Sequence, residues 1–341
     1  MSEQAIDEEV LGRWLEANVE GFTAPLRLTK FPSGQSNPTY KVSAVSGDYV
    51  LRRKPFGPLL PSAHAVDREY RLLSALHPLG FAVPEPLALC DDPNVIGAVF
   101  YVMEMAKGRP YADGALPDFD PAARRRMYEQ LVDTLAELHT IDPLAADLAD
   151  FGRPGNYFER QVARWTRQYR DSETDYIPEM ERLIAFLPET LPEQSRISIV
   201  HGDYRIDNVV YDGDGTLTAV LDWELATLGD PLADFSYLAM QWAMPADGAA
   251  GLAGLDLAAL GVPTLNEIAE RYAARSGVPV AAKLDWYFAY NLFRLAGIVQ
   301  GIKKRVLDGT ASHAHAAEMA KKVPMLADSA WAFAKRAGAL A

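Results

Sequence analysis

From Val200 to Asp222, two short apolar runs flank the tetrad Asp212-Gly213-Asp214-Gly215. The two Asp-Gly steps mark a tight turn, so the second run folds back on the first as a β-hairpin. That one feature fixes a local geometry. Asn208, where the first run begins, and Asp222, where the second ends, are brought together, and Asp203 lies on the loop five residues before Asn208. Two oxygen-bearing side chains with a further carboxylate nearby suit magnesium, which takes hard oxygen ligands and leaves its other positions to water and phosphate. They also suit phosphoryl transfer, which needs a carboxylate to orient an attacking hydroxyl and accept its proton. A lone aspartate is usually a turn or cap residue; the joint spacing with apolar flanks is what points to chemistry. A calcium loop does not fit, because Thr216 and Thr218 stand at later ligand positions and no glutamate closes the loop.

The rest of the chain falls into two textures. An amphipathic helix over Asp7–Val19 precedes strand-like runs at Leu26–Phe31, Thr39–Val45 and Asp48–Lys54, the last two joined by a turn at Ser46-Gly47-Asp48. A helix capped by Ser62 and running to about Leu76 comes next, then strands near Pro86–Leu89 and Ala98–Met105. After Lys107-Gly108 the pattern is helical, as in Pro121–His139, Tyr157–Arg170, Glu179–Phe186 and from Pro231 onward. The expected fold class is therefore α+β, with a small mixed β-sheet over residues 1–105 and a mainly helical body over 106–341. A length of 341 residues suits two such units.

A net charge of −13 speaks against a nucleic-acid coat, which needs a basic face. The acidic start, MSEQAIDEEV, reads as no signal peptide, and the most apolar stretch, Ala249–Leu265, is broken by Asp256 and glycines, so no membrane span is expected. The single cysteine, Cys90, excludes an internal disulfide and reads as a buried, inert thiol. A cytoplasmic protein is the expectation; the oligomeric state is not legible. His313 and His315 read as surface residues.

His201-Gly202-Asp203-x-x-x-x-Asn208 followed by Asp222 resembles the signature of the aminoglycoside phosphotransferase family, with its choline and homoserine kinase relatives. It is also similar to the catalytic loop of protein kinases. Ser33-Gly34-Gln35-Ser36-Asn37-Pro38-Thr39-Tyr40, Leu51-Arg52-Arg53-Lys54-Pro55 and Asp222-Trp223-Glu224-Leu225-Ala226-Thr227-Leu228-Gly229-Asp230-Pro231 resemble the branch found fused to acyl-CoA dehydrogenases. The resemblance implies a protein-kinase-like, two-lobed fold and transfer of the γ-phosphate of ATP, with Mg²⁺, to a hydroxyl of a small molecule. It implies Asp203 as catalytic base and Asn208 and Asp222 as magnesium ligands. Arg205 would meet the transferring phosphate, with a salt bridge to the acidic loop as the competing role. Arg52 would reach the α/β phosphates and pair with Glu69; Lys54 and Asp67 are the rivals. Ser36 and Asn37 would contact phosphates from the covering loop. Met103 would line the adenine pocket, and backbone groups of Glu104 and Ala106 would bind the base. Asp230 and Asp234 read as structural, bracing the following helix and the catalytic loop, and His201 as a brace more than a proton shuttle.

The acceptor pocket is expected near Asp203, where Trp286, Tyr287, Tyr290, Asn291, Phe293 and Arg294 share a helix. Arg294 sits among apolar residues and calls for an acid or a bound anion; the competing partner is Asp234. From Ala281 to Gly309 only Asp285 and Asp308 are acidic, which disfavours aminoglycosides and leans toward a hydroxylated acyl-CoA or another anionic alcohol. The rival functions are a nucleotide-binding pseudokinase or binding module, against which the retained Asp203, Asn208 and Asp222 argue, and an ATPase.

Overall fold

The computed structural model describes residues 6–31, 37–56, 65–153, 155–246, 250–280, 283–310 and 316–340. Ser62, His313 and His315 lie outside them. The chain opens with helix α1 (Glu8–Asn18), whose Asp7 side chain accepts from the N–H groups of Glu9 and Val10 and so caps it. Strands β1 (Leu26–Lys30), β2 (Thr39–Ala44) and β3 (Gly47–Arg53) follow, then α2 (Val66–Leu76), β4 (Pro86–Cys90) and β5 (Phe100–Glu104). They form one sheet in the order β1-β2-β3-β5-β4. A mixed sheet was expected from the sequence, but every neighbouring pair is antiparallel. The reason is topological: the helical crossover from β3 lands β4 beyond β5, so no two parallel strands become neighbours.

The second unit begins with α3 (Pro121–Thr140), α4 (Tyr157–Ser172) and α5 (Pro178–Glu189). In α3, Asp120 caps the first turn and Pro121 takes the first helical position, where its missing N–H costs nothing. Met127, Leu131, Leu135 and Leu138 recur at helical spacing and are fully buried. Short strands β6 (Ser198–Val200), β7 (Val209–Tyr211), β8 (Leu217–Val220) and β9 (Thr227–Gly229) then pair as β6-β9 and β7-β8. The β7-β8 pair is the expected hairpin, with Asp212 Oδ1 accepting from the N–H groups of Asp214 and Thr216 across its turn. The helices α6 (Leu232–Ala239), α7 (Leu257–Leu260), α8 (Leu265–Ser276), α9 (Asp285–Leu307), α10 (Ala316–Ala320) and α11 (Val323–Arg336) complete the body.

The two lobes share packing. One apolar cluster runs from Val50, Leu73 and Met103 through Leu131, Tyr204 and Phe235 to Leu292 and Ala330. A second, between α1 and the outer face of the sheet, holds Leu11, Leu15, Val42, Leu51, Phe100 and the buried thiol of Cys90. Helix α2 is tied to the larger lobe by Arg68, which lies over the Phe151 ring and donates to the carbonyls of Phe151 and Ala226, and by Arg71, which meets Asp150 at 2.5 Å. No described helix is long and apolar enough to cross a membrane.

Candidate active site

The loop between β6 and β7 is held from behind by α6. Asp234 Oδ2 accepts from the His201 N–H at 2.6 Å and Oδ1 from the Gly202 N–H at 2.8 Å. Gly202 has φ +85°, and a Cβ there would lie 2.8 Å from the Leu225 carbonyl oxygen, so only glycine fits the turn. The Asp203 N–H donates to His201 Nδ1 at 3.1 Å, which leaves the ring proton on Nε2 to donate to the Leu221 carbonyl at 2.8 Å. His201 thus ties the β6–β7 loop to the hairpin as a brace. Asp230 accepts from the Leu232 N–H and from Ser195, anchoring the start of α6. Both aspartates do what the sequence indicated.

Asn208 donates its amide Nδ2 to the Asp203 carbonyl and to Asp203 Oδ2, both at 2.9 Å, which turns its Oδ1 the opposite way. The Leu221 N–H donates to the Asn208 carbonyl at 2.8 Å, so the hairpin brings Asp222 alongside. Asp222 is in the left-handed region, at φ 64° and ψ 63°, a conformation that costs a non-glycine residue about 1–3 kcal/mol and recurs at functional sites. An amide oxygen and a carboxylate brought onto neighbouring strand ends are hard-oxygen donors of the kind that magnesium takes.

Arg52 reaches across from β3. Its Nη2 lies 2.7 Å from Asp222 Oδ1 and 3.4 Å from Glu224 Oε2. Its Nε lies 2.9 Å from Glu69 Oε2 but off the N–H axis, an ion pair more than a hydrogen bond. Lys54 pairs instead with Asp67, at 2.7 Å. Burial pushes the Glu69 carboxyl up to about 7, against the pull of Arg52, with Asp222 and Glu224 adding to the rise. Burial would lower the Arg52 pKa, but Glu69, Asp222 and Glu224 raise it overall. Asn37 is fully buried and donates to Glu69 Oε1 at 2.9 Å, so its amide meets the ion pair; Tyr101 Oη donates to Glu69 Oε2 at 3.2 Å. Ser36 lies outside the described residues.

Arg205 takes the acidic-loop position. Its Nη2 is 2.7 Å from Asp207 Oδ2, and its Nε is 3.8 Å from Asp203 Oδ2. Met103 is buried opposite Val50 on β5, and Glu104 ends that strand, its N–H donating to the Glu85 carbonyl at 2.9 Å. Arg109 and Tyr211 exchange backbone bonds of 3.0 and 3.1 Å, which fixes the segment after Ala106 over the hairpin.

Among the described residues Arg294 makes no salt bridge, though the charge of Asp203 helps to raise its pKa. Its Nη2 donates to the Gly202 carbonyl at 2.6 Å, and its guanidinium lies 5.1 Å from the Tyr237 ring centroid and 5.5 Å from that of Trp165. Its Nε is buried without a protein partner among the described residues. The Tyr237 hydroxyl lies beside Asp203, and burial, with the charge of Asp203, pushes its pKa up to about 12, so it keeps its proton at neutral pH. Sequence reasoning missed Tyr237, Asp207 as the Arg205 partner, and Glu224. The last two were detectable as acids next to assigned residues; Tyr237 carried only its place one turn beyond Asp234.

A family model described as "Phosphotransferase enzyme family" matches residues 27–274. Mouse (Mus musculus) "Acyl-CoA dehydrogenase family member 10" is 42% identical over 98% of this chain, which spans only 32% of that protein's length. A crystal structure from Ralstonia eutropha JMP134, named for the aminoglycoside phosphotransferases, is 44% identical, covers 97% of this chain and 99% of its own, and superposes with a TM-score of 0.88. Aminoglycoside phosphotransferase APH(4)-Ia, in a ternary complex with ADP and hygromycin B, is 17% identical over 98% of this chain and 99% of its own, and shares the fold at a TM-score of 0.58.

Proposed function

The chain belongs to the phosphotransferase enzyme family, and from that premise we propose that it is an ATP- and magnesium-dependent kinase acting on a hydroxyl of a small anionic molecule. The observation that carries this reading is the junction of Asn208 with Asp203 and Asp222. The Asn208 amide donates to the Asp203 carboxylate, and the backbone bond from the Leu221 N–H to the Asn208 carbonyl brings Asp222 alongside. Asp203 receives the proton of the acceptor hydroxyl and holds that oxygen in line with the γ-phosphorus. Asn208 and Asp222 would hold the metal, which when bound would neutralise charge on the nucleotide phosphates. Arg52, paired with Glu69, serves the α/β phosphates. Arg205 swings from Asp207 to the transferring group, where its fork of donors stabilises developing charge. Met103 and the backbone of Glu104 and Ala106 receive adenine, and Ser36 belongs to the loop over the phosphates. Use of ATP is supported by the ADP bound to the fold relative.

For the acceptor, Arg294 offers its buried Nε to a carboxylate or phosphate, and the Mus musculus relative is named for acyl-CoA chemistry. A hydroxylated acyl-CoA, handled in the cytoplasm, is the substrate we propose. The test is a panel of kanamycin-type amines, choline, hydroxy acids and hydroxyacyl-CoAs, run on wild type and Arg294→Ala. ATP-dependent phosphorylation of the anionic alcohols is expected, with weakened acceptor binding in the variant. Robust turnover of the amines, or unchanged kinetics in Arg294→Ala, would end this reading; ADP release without any acceptor would point to an ATPase.

A further inference from the structure

A lysine on β3 would present a point charge and could be held by one acid. An arginine has two ends to hold. The Nε side of Arg52 faces Glu69 at 2.9 Å, and its Nη2 end is shared between Asp222 at 2.7 Å and Glu224 at 3.4 Å. Asp222 therefore serves two cations, this guanidinium and the magnesium assigned to it above. We propose that Glu224 is a positioning residue that keeps the Nη2 end of Arg52 in place when Asp222 turns to the metal. This rests on the proposed roles of Arg52 and Asp222.

Three observations lead there. Arg52 is 8% exposed, so loss of Asp222 with no replacement would strand a buried charge. Glu224 lies in the single 3₁₀ turn Trp223–Leu225 directly after Asp222. That turn is fixed: Trp223 Nε1 donates to the Val220 carbonyl at 3.0 Å, and its ring packs 4.5 Å from His201 and 6.0 Å from Phe81. The Glu224 side chain is 29% exposed, and its Oε2 already lies within ion-pair reach of Nη2 at 3.4 Å. With Glu69 at one end and Glu224 at the other, Nη1 is the donor left to meet a phosphate oxygen, and the planar fork keeps its direction.

The experiment is equilibrium calorimetry of a non-hydrolysable ATP analogue, with Mg²⁺ and in EDTA, on wild type, Glu224→Gln, Arg52→Lys, the double variant and Arg52→Ala, each checked for folding by thermal denaturation. Glu224→Gln is expected to lose about tenfold in affinity with Mg²⁺, within the range for partners in one ion network. In EDTA it should stay within about twofold of wild type, because Asp222 still holds Nη2. The loss should shrink in the Arg52→Lys background. An equal loss with and without metal, an equal loss beside Lys, or no loss in Glu224→Gln while Arg52→Ala does lose affinity, overturns the role of Glu224. Unchanged affinity in Arg52→Ala overturns the reading of Arg52 itself, and this role with it.

Discussion

The carboxyl of Asp203 touches Asn208 Nδ2 at 2.9 Å and the Tyr237 hydroxyl, contacts that hold it without closing it to an acceptor. Asp203→Asn keeps the shape of the side chain and removes its basicity. We expect turnover to fall by at least ~10²-fold while nucleotide affinity, followed by calorimetry, is retained. Near-normal phosphoryl transfer would refute the assignment. Asp222 and Asp230 separate by surroundings: one meets Arg52 at the end of the hairpin, while the other is fully buried on Ser195 and the first turn of α6. Titrating Mg²⁺ against ATP affinity should show Asp222→Ala losing the metal dependence and Asp230→Ala losing thermal stability first; identical curves would exclude this division. At this scale the sequence was most readable where residues lie within twenty positions of one another, as Asp203, Asn208 and Asp222 do. It was least readable at Arg294. Helical spacing exposed a stranded cation, but its partners, a backbone carbonyl and two aromatic faces, carry no charge to search for.

Among elements, the decisive contact is between the catalytic loop and α6. Burial alone would raise the Asp234 carboxyl, but His139 and His201 and the N–H of Gly202 outweigh it and hold it below the usual carboxylate range. A carboxyl depressed by folding stabilises the native state above its unfolded pKa, and that contribution is lost as the pH falls through the folded value. Asp234→Asn is therefore expected to cost about 3 kcal/mol near neutral pH and less in strong acid. Urea unfolding at pH 7 and at pH 3 checks this, and an equal cost at both would contradict it. The hairpin and the β2-β3 turn were legible because Gly and Asp mark turns locally. The pairing of β6 with β9 was not, since three-residue strands lack enough alternation to register and their partnership spans a long loop. The antiparallel character of the sheet also escaped notice, because crossover length does not say on which side of β5 a strand lands.

Across the whole molecule, the boundary read near residue 105 follows a change of texture and not a break in packing. Val50, Leu73 and Met103 share an apolar cluster with Leu131 and Phe235. Residues 1–105 alone would expose that face to water, at roughly 25 cal/mol per Å² of apolar area. We expect such a fragment to show no cooperative thermal transition, and the full chain to unfold in one step that nucleotide shifts upward. A fragment with dispersed, protected amide resonances would disprove this. Helix α2 belongs to the same account. Its Arg68 and Arg71 grip the Phe151 and Ala226 carbonyls and Asp150 of the larger lobe, while Glu69, between them in sequence, faces Arg52. These contacts on either side of Glu69 in the sequence hold its carboxylate toward Arg52. The Arg52–Glu69 pair is thus only as firm as the seat of α2 on the larger lobe, and a change that loosens that seat reaches Arg52 without touching it.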